Sequence, residues 1–137
     1  MSNYDNFKHT ELTSAIIKAA YYVFDYHGFG HTESVYENSM QIRLEKIGLS
    51  GVLQQPIKVY FERHIVGDFK ADIVVENTVI VELKAVEQLH PKHEVQLVNY
   101  LKSTAIEVGL LINFGEELTI KRKVFSNERK RHLNRLP

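Results

Sequence analysis

The stretch ADIVVENTVIVELKA, residues 71 to 85, constrains this chain more than any other. Two runs rich in Ile, Val and Leu flank the polar triplet Glu76-Asn77-Thr78, the pattern of a buried β-hairpin. The hairpin nevertheless carries Asp72, Glu82 and Lys84. Residues two apart on a strand share a face, so Glu82 and Lys84 project to one side while Val81, Leu83 and Ala85 project to the other. With residues 76 to 78 as the turn, Val75 faces Val79 and, counting outward, Asp72 faces Glu82; a two-residue turn would move Asp72 to a diagonal position.

Two carboxylates facing each other on adjacent strands repel, and burial among Val and Ile would raise at least one pKa. A divalent cation compensates most simply. Two carboxylates leave room around Mg²⁺ for water and for a substrate phosphate, and Lys84 on the same face would hold or help deprotonate a metal-bound water. The alternative is a solvent-exposed ladder of ion pairs on an open sheet face.

The rest of the chain supplies a frame for the hairpin. Leu12, Ile16, Ala19, Ala20 and Val23 form the stripe of an amphipathic helix that Gly28 stops. A second helix is expected after Thr32 as N-cap, with Val35, Met40, Leu44 and Ile47 on its apolar face and Gly48 as its stop. VLQQPIKVYFE reads as a strand that Pro56 makes an edge or an irregular start, and HIVGDFKADIVVE and TVIVELKAV follow it. HPKHEVQLVNYLKSTA reads as a helix with Pro91 in its first turn and Val95, Leu97, Val98 and Leu101 on its buried side. VGLLINF and ELTIKRKVF, separated by Gly115-Glu116, complete the order helix, helix, three strands, helix, two strands. That order is an α/β fold, a mixed β-sheet flanked by helices.

Length and composition narrow the function. A chain of 137 residues, 44% hydrophobic and 25% charged, is expected to be a single domain over 1–137, with a core of about 12–125 and a basic C-terminal tail at 126–137. Absence of cysteine excludes disulfides, thiolate zinc sites and a Cys nucleophile. The N-terminal MSNYDNFKHTEL has no apolar signal region, and no run approaches the roughly 18 apolar residues of a membrane span, so a cytoplasmic protein is expected. Net charge is zero, but residues 121–137 hold seven Lys/Arg against Glu128, which is +6 and leaves −6 for the remainder. Such a run can meet phosphates, although charged termini are more commonly just solvated.

Other chemistries lack support. Gly28-Phe29-Gly30 follows no strand, which excludes a dinucleotide fingerprint. His90 and His93 lack a third ligand at suitable spacing and read as helix-capping or surface residues. Ser34, Ser39 and Ser103 have no adjacent His-acid arrangement.

Asp72, nine intervening residues and then Glu82-Leu83-Lys84 resembles the D-x(n)-ExK signature of the PD-(D/E)XK nuclease superfamily, whose core is a helix, a three-strand meander, a helix and a strand. Gly30, Glu33 and Tyr36 match the G-x-x-E-x-x-Y signature of the GxxExxY family within it, and Gln96 with Tyr100 resembles the Q-x-x-x-Y element of RecB-like nucleases. The resemblance covers roughly residues 12–125 and implies a restriction-endonuclease-like fold and a Mg²⁺- or Mn²⁺-dependent nuclease acting on nucleic acid, DNA in preference to RNA. It implies Asp72 and Glu82 as metal ligands with the Leu83 carbonyl as a third, and Lys84 as the residue that orients or activates the attacking water.

Glu33 joins them by the family motif, with stabilisation of the helix dipole as its structural alternative, and Glu37 lies one turn on to support a second metal or a bound water. Tyr36 is expected to bond a carboxylate or to pack, while Gln96 and Tyr100, four apart on one helix face, are expected beside the strands. The alternative function is a nuclease fold with little turnover that binds nucleic acid or a protein partner. Sequence specificity is expected to be low unless a homodimer or larger complex supplies it.

Overall fold

The structure, a computed structural model, describes residues 8–130. Helices α1 (Thr10–His27) and α2 (Glu33–Lys46) precede strands β1 (Gly51–Phe61), β2 (His64–Val75) and β3 (Val79–Lys84). Helix α3 (Pro91–Lys102) then leads to β4 (Val108–Phe114) and β5 (Leu118–Val124), and a 3₁₀ turn covers Asn127–Arg129. The strands form one sheet in the order β1-β2-β3-β4-β5, antiparallel except between β3 and β4. Parallel neighbours need a crossover, which α3 supplies.

Helices α1 and α2 bury their apolar stripes against Ile73, Val75, Val79, Val81, Leu83, Val108, Leu110 and Ile112 on one face of the sheet. Helix α3 covers the other, where Leu97, Tyr100 and Leu101 meet Ile80 and Leu111. Central strands covered on both faces must be apolar throughout, and every residue of β4 is buried.

Two helix faces differ from the apolar periodicity. Helix α2 buries Tyr36, Met40 and Leu44, while Val35 is half-buried and Ile47 is 39% exposed. The reason is the Tyr36 ring, which stacks on Phe114 at 4.3 Å between centroids and turns the helix toward itself. Helix α3 likewise buries Tyr100 with Leu97 and Leu101, leaving Val95 58% exposed. The two histidines at the start of α3 cap it: His90 Nδ1 accepts from the Lys92 N–H, and His93 Nδ1 accepts from the His90 N–H.

The hairpin register is Val75↔Val79, Val74↔Ile80 and Ile73↔Val81, with Glu76 and Asn77 at positive φ in the turn. Beyond Ile73 the earlier part of β2 pairs with β1 alone, as a ribbon whose Glu62-Arg63 turn also has positive φ.

This ribbon changes face where it leaves the sheet. Leu53 and Ile73 pack with the α1/α2 side, whereas Ile57 and Ala71 belong to the α3 side. Between the rungs Leu53↔Ile73 and Gln55↔Ala71 stand Gln54 and Asp72, and Gln54 adopts φ 51°, a left-handed conformation unusual for a residue with a side chain.

At the C-terminal side, Lys130 is buried and its Nζ donates to the carbonyls of Thr104 (3.0 Å) and Ile106 (2.7 Å), so this cation is not solvated. Burial pulls its pKa down to about 8, with Glu107 opposing the shift. Arg129 covers the Phe125 ring, and Arg131 and Arg135 lie outside the described residues. No helix among the described residues is long and apolar enough to cross a membrane.

Candidate active site

The site forms where β2 and β3 stop exchanging backbone hydrogen bonds. One step past Ile73↔Val81 the ladder is replaced by a reciprocal pair: the Asp72 N–H donates to Glu82 Oε2 (2.9 Å), and the Leu83 N–H donates to Asp72 Oδ2 (2.8 Å). Each carboxylate therefore satisfies a backbone donor of the opposite strand with one oxygen. The pair is held by the scaffold and does not depend on side-chain rotamers alone.

Glu82 is only 5% exposed, which excludes the solvated ion-pair ladder. Burial pushes its carboxyl up to about 8; Asp72 beside it adds to the shift, and the hydrogen bond from the Asp72 N–H and the charge of Lys84 oppose it. Among the described residues Lys84 makes no ion pair within 4.0 Å, although its charge acts on Glu33, Glu82 and His93. Desolvation lowers the pKa of His93 most, and the Lys84 charge adds to it.

Helix α2 brings the second group of carboxylates. Glu33 is its first residue, and desolvation raises its pKa, with Lys84 opposing and Asp72 and Glu37 adding to the shift. Glu37 is also raised, by desolvation and by Asp72, while the Gln54 side chain opposes this by donating from Nε2 to Glu37 Oε1 at 2.6 Å. Asp72 thus lies within electrostatic reach of Glu33, Glu37, Glu82 and Tyr100.

On the α3 side Tyr100 packs its ring near Phe69, 5.9 Å between centroids. Desolvation, then Glu82 and Asp72, push its phenol up to about 12, so it faces the carboxylates as a neutral hydroxyl. Gln96 sits one turn earlier, half-buried, and its side chain makes no hydrogen bond among the described residues. Asp72, Glu82, Leu83 and Lys84 thus meet at the end of β3, and Glu33, Glu37 and Tyr100 lie within electrostatic reach of Asp72, while the Gln96 side chain makes no hydrogen bond to any of them.

Tyr36 serves the site indirectly. Its hydroxyl donates to the Gly28 carbonyl (2.6 Å) and accepts from the His31 N–H (3.3 Å), which clamps the loop leading into Glu33. Beyond Lys84, Asn113 continues the sheet with its side chain: Oδ1 accepts from the Val86 N–H at 3.0 Å and Nδ2 donates to the Val86 carbonyl at 2.9 Å. The segment after the lysine is fixed by this buried amide.

Gln54 is the residue that sequence reasoning missed. Its signal would have been polarity at the foot of a strand, opposite Asp72, but nothing in residue type announces a left-handed backbone. Strain of this kind costs about 1–3 kcal/mol and persists where the surroundings over-determine it, commonly at functional sites.

The donor set suits a hard divalent cation. Asp72 and Glu82 offer hard oxygen donors side by side, and each has a carboxylate oxygen outside the reciprocal backbone pair. Among the described residues no group of three His, Asp or Glu is gathered to hold a metal ion, so water and substrate oxygens would complete the shell, as is usual for Mg²⁺.

A family model described as PD-(D/E)XK nuclease superfamily matches residues 10–124. No curated protein and no solved structure matches the chain.

Proposed function

Since the chain belongs to the PD-(D/E)XK nuclease superfamily, and its mixed sheet flanked by helices is the α/β restriction-endonuclease-like fold, we propose that it hydrolyses phosphodiester bonds in nucleic acid, DNA first. The observation that carries this reading is the reciprocal Asp72–Glu82 pair, in which Glu82 is buried and Asp72 half-buried, one residue from Lys84. Burying Glu82 beside a second carboxylate is costly unless it takes up a proton or a cation joins the two.

Asp72, Glu82 and the Leu83 carbonyl would hold Mg²⁺ or Mn²⁺, with Glu33 and Glu37 beside them. When bound, the cation supplies charge stabilisation for the phosphate and acidifies the attacking water. The Lys84 ammonium orients that water and stabilises charge on the pentavalent transition state. Water oxygen bonds to phosphorus, a bridging P–O bond breaks, and the products are a phosphate monoester and an alcohol. Tyr100 donates its hydroxyl proton in a hydrogen bond toward the carboxylates or the phosphate, and Gln96 contacts the substrate strand. The matches at Gly30, Glu33 and Tyr36 and at Gln96 and Tyr100 support assignment to the GxxExxY group with RecB-like features.

Purified protein with Mg²⁺ or Mn²⁺ is expected to cut at least one of single-stranded, duplex or branched DNA, and to be inactive in EDTA. Inertness on all three with both metals sinks the enzyme reading. Metal-independent nucleic-acid binding in that event would favour a binding module on a nuclease fold.

Gln54 is assigned as a positioning residue that holds Glu37 toward the site. Glycine tolerates φ 51° without strain, so Gln54→Gly should keep stability within about 1 kcal/mol while lowering cleavage about tenfold and raising the metal concentration for half-maximal rate. A fall in the urea midpoint with an unchanged metal dependence would make Gln54 merely structural.

A further inference from the structure

A cavity of about 210 Å³ opens between the segment that leads into Glu33 and the one that leaves Lys84, and takes no part in the chemistry above. Its walls are the two segments that flank the site: Gly30 and His31 lead into Glu33, and Ala85 and Val86 leave Lys84. Phe114 lies in its floor, stacked against Tyr36, and Phe29 stands on its rim. Glu87 and Glu116 complete the mouth.

Phe29 stands exposed on a fixed loop. Its ring is 61% exposed and joins none of the aromatic pairs among the described residues. The loop carrying it is nevertheless fixed, with Gly28 and Gly30 at φ 68° and 107° and with the Tyr36 hydroxyl bonded to both ends. A clamped loop that holds a large apolar ring in water keeps an open, preorganised stacking face beside the cavity. That face suits a flat partner that arrives with the substrate.

We propose that this cavity is a base-binding subsite, which takes the nucleobase adjoining the scissile phosphodiester and stacks it on Phe29. This rests on the nuclease reading. Ala85 and Val86, which wall the cavity, directly follow Lys84, so a nucleotide adjoining a phosphate at Lys84 has the cavity as its neighbour. The volume suits one base, being below the roughly 300 Å³ of pockets that enclose drug-sized ligands. Stacking on an aromatic ring serves any base. The two carboxylates repel phosphate but accept from exocyclic amino groups, as Glu does from cytosine N4, so amino-bearing bases are preferred over thymine.

The test uses the full chain and short single-stranded deoxyoligonucleotides, with the cut position first mapped in Mn²⁺. An abasic residue next to the cut, on one side of it, is expected to lower kcat/KM about tenfold for the wild type. Phe29→Ala should lower kcat/KM on the intact substrate by a similar factor, through KM, and lose the abasic penalty. A 2-aminopurine at that position should be quenched on binding to the wild type and not to Phe29→Ala. Glu87→Gln with Glu116→Gln should reduce discrimination between cytosine and thymine there. Cleavage that is indifferent to the flanking base on both sides and to Phe29→Ala overturns the subsite while leaving the nuclease intact. Absence of both cutting and binding for every oligonucleotide removes the nuclease reading, and the subsite with it.

Discussion

Lys84→Ala and Asp72→Asn are each expected to lower metal-dependent DNA cleavage by about 10²- to 10³-fold, the usual loss when one preorganised charge is removed from a transition state. Neither change should unfold the protein. Lys84 is half-exposed and has no close ion pair among the described residues, so its loss removes little packing. Asn at position 72 keeps an oxygen able to accept from the Leu83 N–H, and it relieves the repulsion with Glu82. The two variants should separate in metal binding. Wild type and Lys84→Ala should melt higher as Mn²⁺ is added, by about 2.7 kcal/mol when the ion is at 100 times its Kd. Asp72→Asn should not respond. Wild-type cleavage by either variant, measured at saturating Mn²⁺ on the best substrate, would remove that residue from the chemistry.

A second large effect is expected from Glu82 without metal. Its folded pKa is raised from 4.5 to about 8, so between these values the folded chain binds a proton that the unfolded chain has released. Its contribution to stability is therefore fully present below about pH 4.5 and lost as the pH rises through about 8. At ~1.4 kcal/mol per unit the loss amounts to a few kcal/mol. Glu82→Gln cannot titrate, so in EDTA it should be more stable than the wild type by that amount at pH 9 and nearly equal to it at pH 5. Metal reverses the sign, because binding displaces the proton and grows tighter with rising pH. Urea midpoints from pH 5 to 9 measure this directly, and parallel curves for the two proteins would show that Glu82 is not held protonated.

The hairpin and its pair of carboxylates were legible because both are local. Period-two alternation and a three-residue polar turn determine the Val75↔Val79 register, and the alignment of Asp72 with Glu82 follows by counting. What counting cannot give is the end of the ladder, where the side chains of Asp72 and Glu82 take over the backbone bonds. The switch of faces at Gln54 and Asp72 breaks the period-two rule in both strands, so the contact from Gln54 to Glu37 has no trace in residue spacing. The helix faces depart from their apolar periodicity for a different reason. Tyr36 and Tyr100 each carry a polar tip on a large apolar ring, and tertiary packing, not helical period, decides whether such a ring goes inward. The stacking of Tyr36 on Phe114 is a long-range contact of that kind.

The anchoring of Glu107 bears on how this domain can be joined to others. Lys8 Nζ and the Asn127 N–H both reach the carboxylate of Glu107, at 3.1 and 2.8 Å, so the beginning of the described chain and the segment near its end meet on the connection before β4. Val108 lies beside Val79 at the start of β3, whereas Lys84 pairs with Asn113 at its far end. Residues 8 and 127 are therefore neighbours on the side of the sheet remote from the carboxylates. A short linker between residues 8 and 127 would give a circular permutant with little distortion.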